Sequence, residues 1–421
     1  MTTPTASAGA PGRHLILAVL VLVYVLNFLD RQILSILAVP IKAEFGISDA
    51  QLGWLLGLAF GAVYSILAIP AAWLADRTSR VWIMTAALAV WSGFTALCGV
   101  AGSYAQLFIA RMGVGIGEAG GVAPAYSLIS DLYPPSSRAR ALAVFSFGIP
   151  IGAASGVLFG GLVAAAIDWR YAFVVIGVAG LVLAPLFRLL VKEPPRPAQT
   201  EKAPSVWSVA RLAAAKPSFW LLAFGAGFTS LVGYGLMAWL PSFLVRSLRF
   251  DLSQTSWYLA GIILFGGVSG MWLGGVLADR LGKSSKAAYP LIPAAALIAS
   301  AVLYGAGTVA AEPVLTFVLF LVAQALGLTW LGPIVTAVQH LGPARSRSQM
   351  SALFLLINNL VGLGLGPYYF GQVSDLLRPV YGDDSIRWAF VAGLGFYLVA
   401  AVLLFLASRT LKQDWVVQPE V

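Results

Sequence analysis

WLLGLAFGAVYSILAIPAAWLADR, from Trp54 to Arg77, aligns without a gap on WYLAGIILFGGVSGMWLGGVLADR, from Trp257 to Arg280, at an offset of 203 positions. Each stretch is a continuous apolar run closed by Ala-Asp-Arg. At a rise of roughly 1.5 Å per residue, either is long enough to cross the roughly 30 Å hydrocarbon core of a bilayer as a helix. A repeat at this distance predicts a chain built from two like halves, each holding several such helices. A second echo, RYAF at Arg170 and RWAF at Arg387, supports the division.

Composition agrees. Of 421 residues, 59% are hydrophobic and 10% charged, against roughly 25% charged in soluble domains. The apolar runs do not alternate with period two, which excludes a membrane barrel and leaves helices. Twelve spans are expected, at 14–40, 51–75, 82–102, 105–130, 141–166, 171–191, 218–245, 256–278, 287–308, 313–340, 349–371 and 387–408. With the N-terminus inside, eighteen Lys and Arg fall in cytoplasmic segments and six on the other side. That asymmetry predicts both termini cytoplasmic. It also accounts for the net charge of +9 without a nucleic-acid partner. The expected organisation is a disordered N-terminus over 1–13, a six-helix bundle over 14–191, a linker over 192–217, a second six-helix bundle over 218–408 and a tail over 409–421. The linker's VWSVARLAAA is expected to form a short interfacial helix. A substrate site is expected near the midplane between the halves.

Several chemistries find no support. Cys98 is the single cysteine, so there is no disulfide framework. His14 and His340 lie at span edges, no spacing suits a metal, and no cofactor is called for. No nucleophile with a base points to an enzyme. The glycines of RMGVGIGEAGG, Arg111 to Gly121, follow no strand and so do not read as a phosphate loop.

The charges that remain inside the spans are few. NFLDRQ, Asn27 to Gln32, places Asp30 and Arg31 in the first span, and the fourth carries Arg111 and Glu118, seven apart and so on one face. Ionisable groups at membrane depth are costly and read first as functional. Two ion pairs tying the helices together would rarely outperform apolar packing, so stability alone is a poor reason for them. Depth along the helices and the lean of side chains toward each helix N-terminus favour Arg31 with Glu118, and Asp30 with Arg111. Asp30 and Glu118 are the candidate proton carriers; Arg31 and Arg111 are the candidate substrate-binding cations. The C-terminal half offers only milder polar candidates for substrate: Tyr234, Gln324, Trp330, Asn358 and Asn359. A cavity charged on one side and apolar on the other suits an amphiphile with an anionic head.

Both copies of LADR close a helix on the cytoplasmic side, as LADRTSR and LADRLGK. The pattern resembles the signature loop of the major facilitator superfamily, along essentially the whole chain. The resemblance implies an all-α membrane protein of two pseudo-symmetric six-helix bundles. It also implies gating roles for Asp76, Arg77, Arg80, Arg138, Arg140, Asp279 and Arg280, with Asp76 latched to Arg138 or Arg140. Gly148, Gly152, Gly156 and Gly160 in FGIPIGAASGVLFGG share one helix face and predict close helix packing. They are similar to the family's helix-five motif.

NFLDRQ, RMGVGIGEA, DLYPPSSRAR, FGIPIG and KEPPRP together resemble the Spinster family. That resemblance implies a proton-linked carrier of lysophospholipids or sphingoid phosphates, with Asp30, Arg31, Arg111 and Glu118 as its polar network; a monomer is expected. Short loops and termini point to a bacterial member in the inner membrane. A proton-driven exporter of drugs or other hydrophobic compounds is the alternative.

Overall fold

The computed structural model describes residues 12–194, 205–282, 285–310, 312–343 and 346–416, without the side chains of Asp76, Pro135, Ser136, Ala139, Val206, Asp279 and Ser348. The segment expected to be disordered lies outside these residues except for its last two positions. The middle of the linker and the end of the tail lie outside them as well. Among the described residues the chain is helical and contains no strand.

The repeat is sharper in structure than in sequence. Ser48 caps the helix Asp49–Leu56 and forms a capping box with Gln51. Asp251 does the same with Gln254 ahead of Leu252–Gly261, at the same offset of 203. In such a box the cap side chain takes the third helical N–H while the Gln side chain returns to the cap's own N–H. Further on, Tyr104–Glu118 and Pro313–Gly327 are both 15 residues long. Each is followed by three non-helical residues before the chain resumes, at Val122 and at Leu331. Equivalent positions in these two helices differ by 209, which sets Phe320 against Arg111 and Gly327 against Glu118.

Ten helical runs among the described residues are long and apolar enough to cross a membrane, where twelve were expected. The difference has two sources. The fourth expected span is interrupted at 119–121, leaving pieces of 15 and 11 residues. The last two expected spans merge into one helical run, Gln349–Asp414, of 66 residues. At about 100 Å of helix that run far exceeds one crossing. It breaks at Gly382, whose φ of +56° favours glycine. Five-residue π turns at Ile262–Gly266 and Leu360–Gly364 also replace expected regular helix. The linker sequence VWSVARLAAA does form a helix, at Val206–Ala214.

The described residues fall into two compact units. One gathers the chain up to Leu37 with Val63 onward into the linker; the other gathers Ala38–Ala62 with the C-terminal half.

In the first unit, the glycine face of Gly148–Ala166 packs directly on the helix Arg13–Ile36. A Cβ on Gly152 would stand 2.4 Å from the Val25 carbonyl oxygen, and one on Gly156 2.5 Å from that of Leu29. Only glycine allows this approach. Gly113 and Gly117 similarly seat Tyr104–Glu118 against Phe94 and Trp91. The spacing of four also predicts a packing step at Gly121, but Gly121 lies beyond the end of that helix, in the interruption. These two contacts fix the helices that carry the four membrane charges.

Candidate substrate and proton site

Asp30 and Arg31 project from the helix Arg13–Ile36, and Arg111 and Glu118 from Tyr104–Glu118, all within the first unit. The structure joins them in the two expected pairs. Arg31 Nε donates to Glu118 Oε2 at 2.5 Å, and Arg111 Nη1 to Asp30 Oδ1 at 3.5 Å. Asp30 Oδ2 also accepts from the Thr95 hydroxyl, a partner that no charge pattern could reveal.

The two pairs differ in surroundings. Asp30 and Arg111 are both buried, whereas the Arg31 side chain is 14% exposed opposite a fully buried Glu118. The Arg31 guanidinium lies over two rings, 5.0 Å from the centre of Phe28 and 4.5 Å from that of Tyr64. Ring faces attract a cation most strongly where water is scarce. Glu118 Oε1 is buried without a hydrogen-bond partner among the described residues. Leaving a buried polar atom unmet costs about 1–3 kcal/mol, and such atoms ask for a reason. Chemically, the site offers a carboxylate with one oxygen unmet among the described residues, bonded through the other to a cation that lies over two aromatic rings. Because Asp30 and Arg31 are adjacent, one rotation of their helix alters both pairs together.

The C-terminal candidates lie in the second unit. Asn358 is buried and accepts from the Ser230 hydroxyl at 2.8 Å, just before the π turn at Leu360–Gly364. π turns inside helices recur at functional sites. Gln324 accepts from the Tyr304 hydroxyl at 2.6 Å. Trp330 is buried near Phe354, while Tyr234 and Asn359 are half-buried.

Of the expected gating residues, the side chains of Asp76 and Asp279 lie outside the described residues, so their latch partners are not seen. Arg77 is exposed and stacks on Trp73. Arg138 is half-buried and donates to the Tyr133 carbonyl at 3.4 Å. Arg140 and Arg280 are exposed. Arg80, unlike the exposed Arg77, Arg140 and Arg280, is 3% exposed and holds Asp131, Ser127 and Glu193. Glu193 also takes the Val81 N–H at 2.9 Å and the Ser79 hydroxyl at 2.7 Å, at the N-terminus of Arg80–Gly99. A carboxylate there answers both the exposed helix N–H groups and the adjacent guanidinium. Burial pushes the Glu193 carboxyl up, but the Val81 N–H, Arg80 and Ser79 outweigh it and hold the group below its usual 4.5.

A second acid-centred cluster, wholly in the second unit, was not anticipated. Asp49 is buried at the start of Asp49–Leu56 and receives two bonds from Arg246, both at 2.7 Å, one from the Ser374 hydroxyl at 2.7 Å and one from Lys42. Asp375 in turn accepts the N–H groups of Asp49 and Ala50 at 3.0 and 2.7 Å. The available signal was the repeat itself, which places Leu252 opposite Asp49.

Comparisons with known proteins agree on one family. Residues 20–367 match the model of the Major Facilitator Superfamily. An MFS-type efflux pump of Mycolicibacterium smegmatis is 35% identical over 94% of this chain and 92% of its own. Human protein spinster homolog 1 is 33% identical over 88% of this chain and 74% of its own. The crystal structure of a bacterial homologue of the human lysosomal transporter Spinster, inward-facing and unoccupied, superposes with a TM-score of 0.89 at 31% identity. It covers 98% of this chain and 100% of its own.

Proposed function

We propose that this chain, which belongs to the major facilitator superfamily and is a Spinster-related multi-pass membrane transporter, moves an amphiphilic anionic lipid coupled to protons. The cargo would be a lysophospholipid or a sphingoid phosphate, carried by alternating access. The Arg31–Glu118 pair carries the reading. When Glu118 takes a proton on its second oxygen, the ion pair loses its charge attraction and Arg31, over Phe28 and Tyr64, is no longer held by that carboxylate. A guanidinium so held binds a phosphate or carboxylate by charge-assisted bonds. Proton and cargo thus act on one pair. Asp30 and Arg111 respond through the shared helix.

In this reading the chain crosses the membrane twelve times with both termini cytoplasmic. The interrupted helix at 104–132 makes one crossing, and the run Gln349–Asp414 holds two. The protein works as a monomer in a bacterial inner membrane, without cofactor or metal. Tyr234, Gln324, Trp330, Asn358 and Asn359, in the second unit, are the proposed contacts for the less charged part of the cargo.

The alternative, a proton-driven exporter of hydrophobic compounds, is favoured by the likeness to a protein named as an efflux pump. Two arginines in the site favour anions over the cations that many drugs are. Uptake into liposomes of a labelled lysophospholipid and of a hydrophobic cation, each with and without a pH gradient, separates the two. The lipid reading predicts gradient-dependent movement of the lysolipid. Movement of the cation alone would overturn it.

A further inference from the structure

The second unit holds a cavity of about 510 Å³ whose lining includes none of the four membrane charges, within the range of roughly 300–1,000 Å³ typical of small-molecule sites. Three elements wall it: Trp207 and Arg211 on the short helix Val206–Ala214, Phe219 and Trp220 at the start of Pro217–Ser247, and Leu353, Leu356 and Ile357 on Arg347–Asn359. Arg211 is the one charged residue of this lining.

The short helix is built for a membrane edge. It ends three residues before a membrane-crossing run that starts at Pro217. Its Val209 and Ala213 are buried, while Trp207 is 83% exposed and Arg211 is exposed. Trp220 Nε1 donates to the Ala214 carbonyl at 3.1 Å, tying the helix end to the following span. Tryptophan concentrates at the headgroup level, and an arginine there lays its stem on apolar surface while its head stays polar. The Arg211 guanidinium has no ion pair or hydrogen bond among the described residues.

From this we infer a binding site for an anionic phospholipid, with an acyl chain in the cavity and the lipid phosphate on Arg211. An apolar cleft beside a guanidinium with no partner among the described residues matches both parts of that molecule. A purely apolar ligand would use only one of them. Ile357 directly precedes Asn358, so an occupying chain braces the helix just before its π turn. The site stands independently of the cargo reading, because none of its lining residues belongs to the charged quartet.

The test uses the full chain in phosphatidylcholine vesicles, with brominated acyl chains as short-range quenchers of tryptophan. The sequence holds 13 tryptophans, so the signal of interest is the difference between the unmodified protein and Trp207→Phe. The site predicts that brominated phosphatidylglycerol half-quenches this signal at about fivefold lower mole fraction than brominated phosphatidylcholine. In Arg211→Gln the two lipids should quench alike. Both altered side chains are exposed, so folding is not at stake. Equal quenching by the two lipids in the unmodified protein, or an undiminished preference in Arg211→Gln, would overturn the assignment.

Discussion

Two buried acids, one in each unit, are met in opposite ways. Asp49 has both oxygens occupied by Arg246, with Lys42 and Ser374 adding further bonds. Glu118 has one short bond to Arg31 and a second oxygen with no partner among the described residues. Protonating Asp49 means giving up several charge-assisted bonds; protonating Glu118 on its open oxygen disturbs one. The saturated cluster is suited to holding structure and the sparse one to changing state. The equivalent helices extend the contrast, because the second unit has Phe320 and Gly327 where the first has Arg111 and Glu118. Duplication supplied the scaffold twice and the charges once.

The contrast breaks most visibly at Asp49. Asp49→Ala leaves Arg246 and Lys42 facing each other without their acid, and removing one partner of a buried charge cluster costs about 3–5 kcal/mol. A large fall in thermal midpoint in detergent, measured by tryptophan fluorescence, is expected, while Glu118→Gln should shift it far less. Equal losses would erase the distinction. Asp30 and Arg111 come next. Asp30→Leu and Arg111→Met should each cost roughly 3 kcal/mol, and the double variant should recover most of it, because two matched apolar residues replace a buried pair well. A double variant as unstable as the sum would make that pair a structural necessity.

A smaller effect sharpens the placing of the charged helix. Gly156→Ala puts a methyl 2.5 Å from the Leu29 carbonyl oxygen. About 1–3 kcal/mol of strain is expected, again read as a thermal midpoint. The smallest effect is at Glu193. Its carboxyl titrates below 4.5 when folded, so its contribution is complete above that value and is lost as pH falls through the folded pKa. Being partly exposed, it is worth at most about 1 kcal/mol. Glu193→Gln should therefore lower the midpoint slightly at pH 7, with the difference vanishing at low pH.

Much of this was legible in sequence because membrane helices announce themselves by length, and internal charges by their rarity. The Arg31–Glu118 and Asp30–Arg111 pairs followed from depth and side-chain lean. The interruptions at 119–121 and 328–330 did not, because hydropathy is blind to a break that stays apolar. Arg80 was named by its loop but its buried pairing was not, because its acids, Asp131 and Glu193, lie 51 and 113 positions away. Asp49 was hidden at a helix start, where an acid needs no special reason. Its partner Arg246 is 197 positions away.

The central claim is that Glu118 couples protons to cargo. Lysophospholipid flux into liposomes, driven by an imposed pH gradient, tests it most directly in Glu118→Gln beside the unmodified protein. The variant should ignore the gradient while still exchanging lysolipid in its absence at a rate within a few-fold of normal. Undiminished acceleration by the gradient in Glu118→Gln would contradict it.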